Sequence, residues 1–79
     1  MARALVFINS FSNSSELVRD LAKVEGVSEA HYSRGLYDAV AMVQAESFSR
    51  VKEIVFNQIR NIDNVKSTLT LTLVETPVN

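Results

Sequence analysis

Apolar residues follow two rhythms along this chain. Ala4-Leu5-Val6-Phe7-Ile8 is a continuous apolar run of strand length, rich in branched side chains, and it predicts a buried strand. Ser10 to Ser15 is a break rich in serine and asparagine. Asn13 and Glu16 stand at capping-box spacing, which predicts a helix beginning near Ser14. Leu17, Val18, Leu21 and Ala22 then recur at helical spacing, Val24 closes the stripe, and Gly26 is the expected stop. Val27 to Ser33 reads as a second strand and Ala39 to Ala45 as a third. Ser47 is positioned to cap a second helix, whose expected buried face is Phe48, Val51, Ile54, Val55, Ile59 and Ile62. Asp63-Asn64 ends it, with Asn64 expected in the left-handed position that Gly26 takes earlier. From Val65 to Val74 the rhythm is strictly two: Leu69, Leu71 and Leu73 face one way, Thr68, Thr70 and Thr72 the other. Glu75 to Asn79, with Pro77, reads as a tail.

The element order is therefore β-α-β-β-α-β. Val24-Glu25-Gly26-Val27 and Ile62-Asp63-Asn64-Val65 echo one another, each closing a helix and opening a strand, as two βαβ halves would. The expected fold class is α+β: one ferredoxin-like βαββαβ sandwich over residues 1–79, sheet order 4-1-3-2, both helices on one face. In the first strand Leu5 and Phe7 oppose Ala4, Val6 and Ile8; in the third, Val40 and Met42 oppose Ala39, Ala41, Val43 and Ala45. Both sheet faces are apolar, yet the helices cover one. The other is most simply covered by a second copy, so a homo-oligomer is expected.

Composition narrows the function. A 79-residue chain is one domain, which buries about 60% of its unfolded surface and has a marginal core. It has no cysteine and one histidine, so no disulfide, thiolate metal site or histidine cluster is expected. Its formal net charge of −1 removes the usual electrostatic basis for DNA binding. No apolar run approaches membrane-spanning length. Met1-Ala2-Arg3 leads straight into the first strand with no signal peptide, so a cytoplasmic protein is expected.

Candidate chemistry is sparse. There is no G-x-S-x-G, no G-x-G-x-x-G and no P-loop, so no catalytic residues, metal or cofactor are expected. Most carboxylates fall on helix surfaces or in caps, and His31 reads as an exposed strand residue. The stretch with most content is Ser33-Arg34-Gly35-Leu36-Tyr37-Asp38. A lone glycine between strands marks a positive φ or a close approach of another chain. The six residues read either as a plain hairpin turn or as a binding corner. The threonine row reads as the polar side of an edge strand, able to bind a small polar ligand where another subunit covers it.

Three spaced motifs carry a resemblance: Leu21-x-x-Val24-x-Gly26-Val27-x-Glu29-Ala30, Gly35-x-Tyr37-Asp38, and Ile62-x-x-Val65-x-x-Thr68-x-Thr70. Together, from about Ala4 to Val74, they resemble the effector-binding domain of Lrp/AsnC-type transcription regulators. The resemblance implies dimers that pair through their sheets and join into rings. It also implies an amino-acid effector held between dimers near Gly35, Leu36, Tyr37 and Asp38, with Thr68 and Thr70 lining the same site. Full-length members of the family begin with a helix-turn-helix domain that this chain does not show. A stand-alone effector domain is thus expected, without direct DNA binding and open to mixed assembly with full-length regulators. Two other classes stay open: the amino-acid-binding ACT module, which shares the topology, and a small dimeric α+β barrel enzyme. The enzyme would need a polar group, His31 or Tyr32, in a pocket between sheet and helices.

Overall fold

A computed structural model describes residues 1–13 and 15–74; the expected tail at 75–79 lies outside them. The order is β1 (Ala2–Ser10), α1 (Leu17–Ala22), β2 (Val27–Tyr32), β3 (Ala39–Ala45), α2 (Phe48–Ile54) continued by a π-helical turn (Val55–Ile59), and β4 (Val65–Leu73). The four strands form one sheet in the order β2-β3-β1-β4, every neighbouring pair antiparallel. This is the expected ferredoxin-like arrangement. β1 runs further than its apolar core because backbone pairing carries it from Ala2, opposite Ala45, to Ser10, opposite Val65.

The register sorts the side chains. Ala4, Val6, Ile8, Ala39, Ala41 and Val43 are buried beneath the helices with Leu17, Leu21, Val51, Ile54, Val55 and Ile59. α1 packs over β2 and β3, and α2 over β1 and β3. On the other face Leu5 pairs with Met42 and Leu71, and Phe7 with Val40 and Leu69. Leu69 and Leu71 remain 44% and 47% exposed. The sheet thus has one covered and one uncovered apolar face.

Three local expectations fail, each for a physical reason. The Asn13–Glu16 capping box does not start α1 near Ser14: the N-cap is Glu16, with no side-chain cap bond, and the helix begins at Leu17, the first side chain buried in the core. Phe48 leaves the buried face and is 43% exposed. It is the first residue of α2 and lies at the strand ends, beside Met1 and Leu73. Asn64 is not left-handed, since among the described residues only Gly26 and Gly35 have positive φ. Its amide instead extends the β1–β4 ladder: Nδ2 donates to the Ser12 carbonyl at 2.8 Å, and Oδ1 accepts from the Ser12 backbone N–H at 3.0 Å. A side chain that completes the pairing removes the need for an unusual backbone angle.

The echo between the two halves survives this difference. The Val27 N–H donates to the Val24 carbonyl and the Val65 N–H to that of Ile62, at 3.1 and 2.9 Å. Ser47 caps α2 as expected, its hydroxyl accepting from the Arg50 N–H at 3.1 Å. Beyond Ile54 the helix widens, and the Arg60 N–H reaches the Val55 carbonyl five residues back at 2.9 Å. The wide turn keeps Val55 and Ile59 in the core while Phe56 stays 60% exposed.

Candidate functional site

The loop between β2 and β3 is tied at both ends. The Ser33 N–H donates to the Asp38 carbonyl at 3.0 Å, and the Ser33 hydroxyl to the Tyr37 carbonyl at 2.7 Å. Gly35 sits at φ +111, and a Cβ there would meet nothing of this chain within 4 Å; the glycine serves the backbone angle. Leu36, at the tip, is 88% exposed. Tyr37 turns back onto the uncovered sheet face, where its ring lies 5.3 Å from that of Phe7.

Asp38 fastens this corner to the end of β1. Its N–H donates to the Ile8 carbonyl at 2.9 Å, and its Oδ2 accepts from the Ser10 backbone N–H at 2.7 Å and from the Ser10 hydroxyl at 3.1 Å. None of the described hydrogen bonds ends on Oδ1. The corner is therefore a hairpin connection whose carboxylate fastens the end of β1 through one oxygen.

Thr68 and Thr70 lie elsewhere. They pair with Ile8 and Val6, whose side chains are buried under the helices, so both threonines occupy the helix side of β4. The Phe7–Tyr37 pair occupies the other side. At the loop end Ala39, Ile8 and Thr68 run across β3, β1 and β4, so the corner and Thr68 are roughly two strand spacings, about 10 Å, apart. A ligand touching Tyr37 and these threonines together requires a second copy to supply one of the halves.

Between α2 and β4 the threonines line a groove of about 400 Å³ with Lys52, Phe56 and Arg60. This groove escaped the reading of the sequence because the widened turn that positions Phe56 and Arg60 leaves no trace in the apolar spacing. His31 does not face it. Its ring lies on the uncovered side of β2, opposite Val40, and Nε2 is 3.2 Å from Glu29 Oε1. Tyr32 also belongs to β2, at the opposite sheet edge from β4. Neither lines the α2–β4 groove. Among the described residues no three His, Cys, Asp or Glu side chains cluster as metal ligands do, and no helix is long and apolar enough to cross a membrane.

A family model described as the Lrp/AsnC ligand binding domain matches residues 3–79. Regulatory protein AsnC of Escherichia coli (strain K12) is 26% identical over 73 residues, 92% of this chain and 48% of the relative. The chain thus spans about half the length of the curated relatives it matches. The structure of E. coli AsnC superposes with a TM-score of 0.86 at 25% identity, covering 99% of this chain and 54% of that one. TTHA0845 from Thermus thermophilus gives 0.85 at 24% identity, both chains covered completely. A feast or famine regulatory protein from M. tuberculosis, complexed with L-methionine, gives 0.81 at 20% identity over 100% of this chain and 54% of that one.

Proposed function

This chain belongs to the Lrp/AsnC ligand-binding domain family, and from that premise we propose that it is a non-enzymatic, cytoplasmic sensor of a small amino acid that works as an assembly of identical copies. The observation that carries the reading is the uncovered sheet face of Leu5, Phe7, Val40, Met42, Leu69 and Leu71, with the Gly35–Asp38 corner at its end. An apolar face of this kind is stabilised by a second copy, which makes a dimer; further contacts through exposed corners such as Leu36 build rings of dimers. The effector sits between dimers at the corner. Asp38 Oδ1 receives its ammonium, N–H groups of the turn around Gly35 receive its carboxylate, and Tyr37 walls its side chain. Thr68 and Thr70 join this site only where a neighbouring copy presents its β4.

The Phe7–Tyr37 contact gives the mechanism a physical link. One ring belongs to the dimer face and the other to the corner, so ordering either favours the other, and effector and assembly stabilise each other. Full-length regulators with the same sheet face are the natural partners for mixed assembly. The relative whose structure holds L-methionine supports an amino acid as the class of effector.

Thermal-shift screening against the common amino acids tests the reading. At ten times its dissociation constant an effector adds about 1.4 kcal/mol per site, an upward shift on the order of 5–10 °C for a domain of this size. No shift with any amino acid sinks the proposal.

A further inference from the structure

The α2–β4 groove has a chemistry of its own. Lys52 and Arg60 bring two positive charges to it, and among the described residues no carboxylate lines it. The described ion pairs, Arg50–Glu53 and His31–Glu29, leave both cations without an anion among the described residues. Thr68, Thr70 and Thr72 line it too, and none of their hydroxyls makes a described hydrogen bond. The Arg60 guanidinium lies 5.1 Å from the centre of the Phe56 ring, held there by the wide turn that begins at Val55. One flat apolar wall, two cations and a row of hydroxyl donors therefore share one small cavity, whose volume of about 400 Å³ falls within the usual range for small-molecule sites.

The balance of charge selects the ligand. A carboxylate meets Arg60 and Lys52, with the planar guanidinium suited to both of its oxygens. A neighbouring carbonyl oxygen accepts from a threonine hydroxyl, and an apolar body lies against Phe56. A free amino acid fits poorly, because its ammonium finds no anion among the described residues here and sits beside two cations. We propose that this groove is a second ligand site, complete within one chain, for small carboxylic acids that lack an ammonium group, with 2-oxo acids the best-matched class. The proposal goes beyond the effector reading and stands without it. Asp38 at the corner selects for an ammonium and the groove selects against one, so the two sites separate an amino acid from its deaminated counterpart.

The test is a titration of the full chain with 4-methyl-2-oxopentanoate, followed by methyl spectra of labelled threonine at constant ionic strength. L-Leucine, with the same carbon skeleton, and sulfate serve as comparison ligands. Saturable shifts at Thr72, which the effector site does not use, are expected, with Arg60→Gln and Lys52→Gln each weakening binding about tenfold or more. L-Leucine should bind the groove at least about tenfold more weakly. Absence of a saturable response at Thr72 overturns the proposal, as does equal binding of L-leucine read at Thr72 or indifference to both cation variants. Equal competition by sulfate would reduce the site to an adventitious anion and overturn it as well. Failure of the effector reading gives a different pattern: no amino acid shifts the melting temperature, while the groove still responds.

Discussion

Asp38 holds two bonds that a free loop carboxylate would not have, and this sets how it must be tested. Its Oδ2 accepts from the Ser10 N–H and hydroxyl, and bonds to a charged acceptor typically stabilise by about 1.5–3 kcal/mol. Asp38→Ala should therefore lower stability by about 2 kcal/mol in urea denaturation, with or without effector. Asp38→Asn keeps an oxygen for Ser10 and should lose less than half as much stability while still losing the effector response. Equal losses from the two variants would show that Ser10 is not the partner that matters. The two glycines make a second comparison at this scale. Both have positive φ, but a Cβ on Gly26 would come within 2.7 Å of Ile54 Cδ1 and 3.2 Å of the Gln44 carbonyl, whereas one on Gly35 would meet open space. Gly35→Ala carries the backbone penalty alone, about 1 kcal/mol, and Gly26→Ala adds a clash for a total of about 3 kcal/mol. Denaturation midpoints that fall by the same amount would contradict this difference.

At the scale of elements, the two helix-to-strand junctions solve one problem in two ways. The first places Gly26 at φ +98 and brings it against α2 and β3. The second keeps an ordinary backbone angle and uses the Asn64 side chain to hold Ser12. Asn64→Gly separates the alternatives. In a left-handed position glycine would be neutral or stabilising; here it removes the bonds to Ser12 and should cost about 1 kcal/mol. A rise in melting temperature on this substitution would point to the left-handed geometry instead. The widened turn after α2 has the opposite character. It adjusts the fit of Ile59 to the core and places Phe56 and Arg60 over β4, so one local distortion serves both packing and the groove.

For the whole molecule, the decisive feature is that the helices leave one apolar sheet face uncovered. Light scattering at micromolar concentration should give at least a dimer and not an 8.8 kDa species. The substitutions that test this interface are on the uncovered face, where Leu5→Asp or Met42→Lys should dissociate the assembly while circular dichroism stays near that of the parent. A charge at Val6 or Ala41 would act differently, because both are buried beneath the helices and the domain should unfold. A monomeric parent chain would remove the assembly and the between-dimer effector site together.

Much of this was legible along the chain. Strand alternation with period two and the helical stripes are local consequences of backbone geometry, so β1, β3, β4 and the core face of α2 apart from Phe48 could be read directly. The two apolar faces of β1 and β3, the Ser47 cap and the need for glycine at 35 were legible for the same reason. The tertiary structure alone decided what depends on distance between elements. It set Asp38 on Ser10, turned Tyr37 onto Phe7, and placed Thr68 and Thr70 on the opposite side of the sheet from that ring. It also gave Asn64 a partner fifty-two positions away, which made a left-handed angle unnecessary. Periodicity encodes which side of its own element a residue occupies. Which side chains then meet is set by register and by how the layers pack, and those are fixed only when the whole chain has folded.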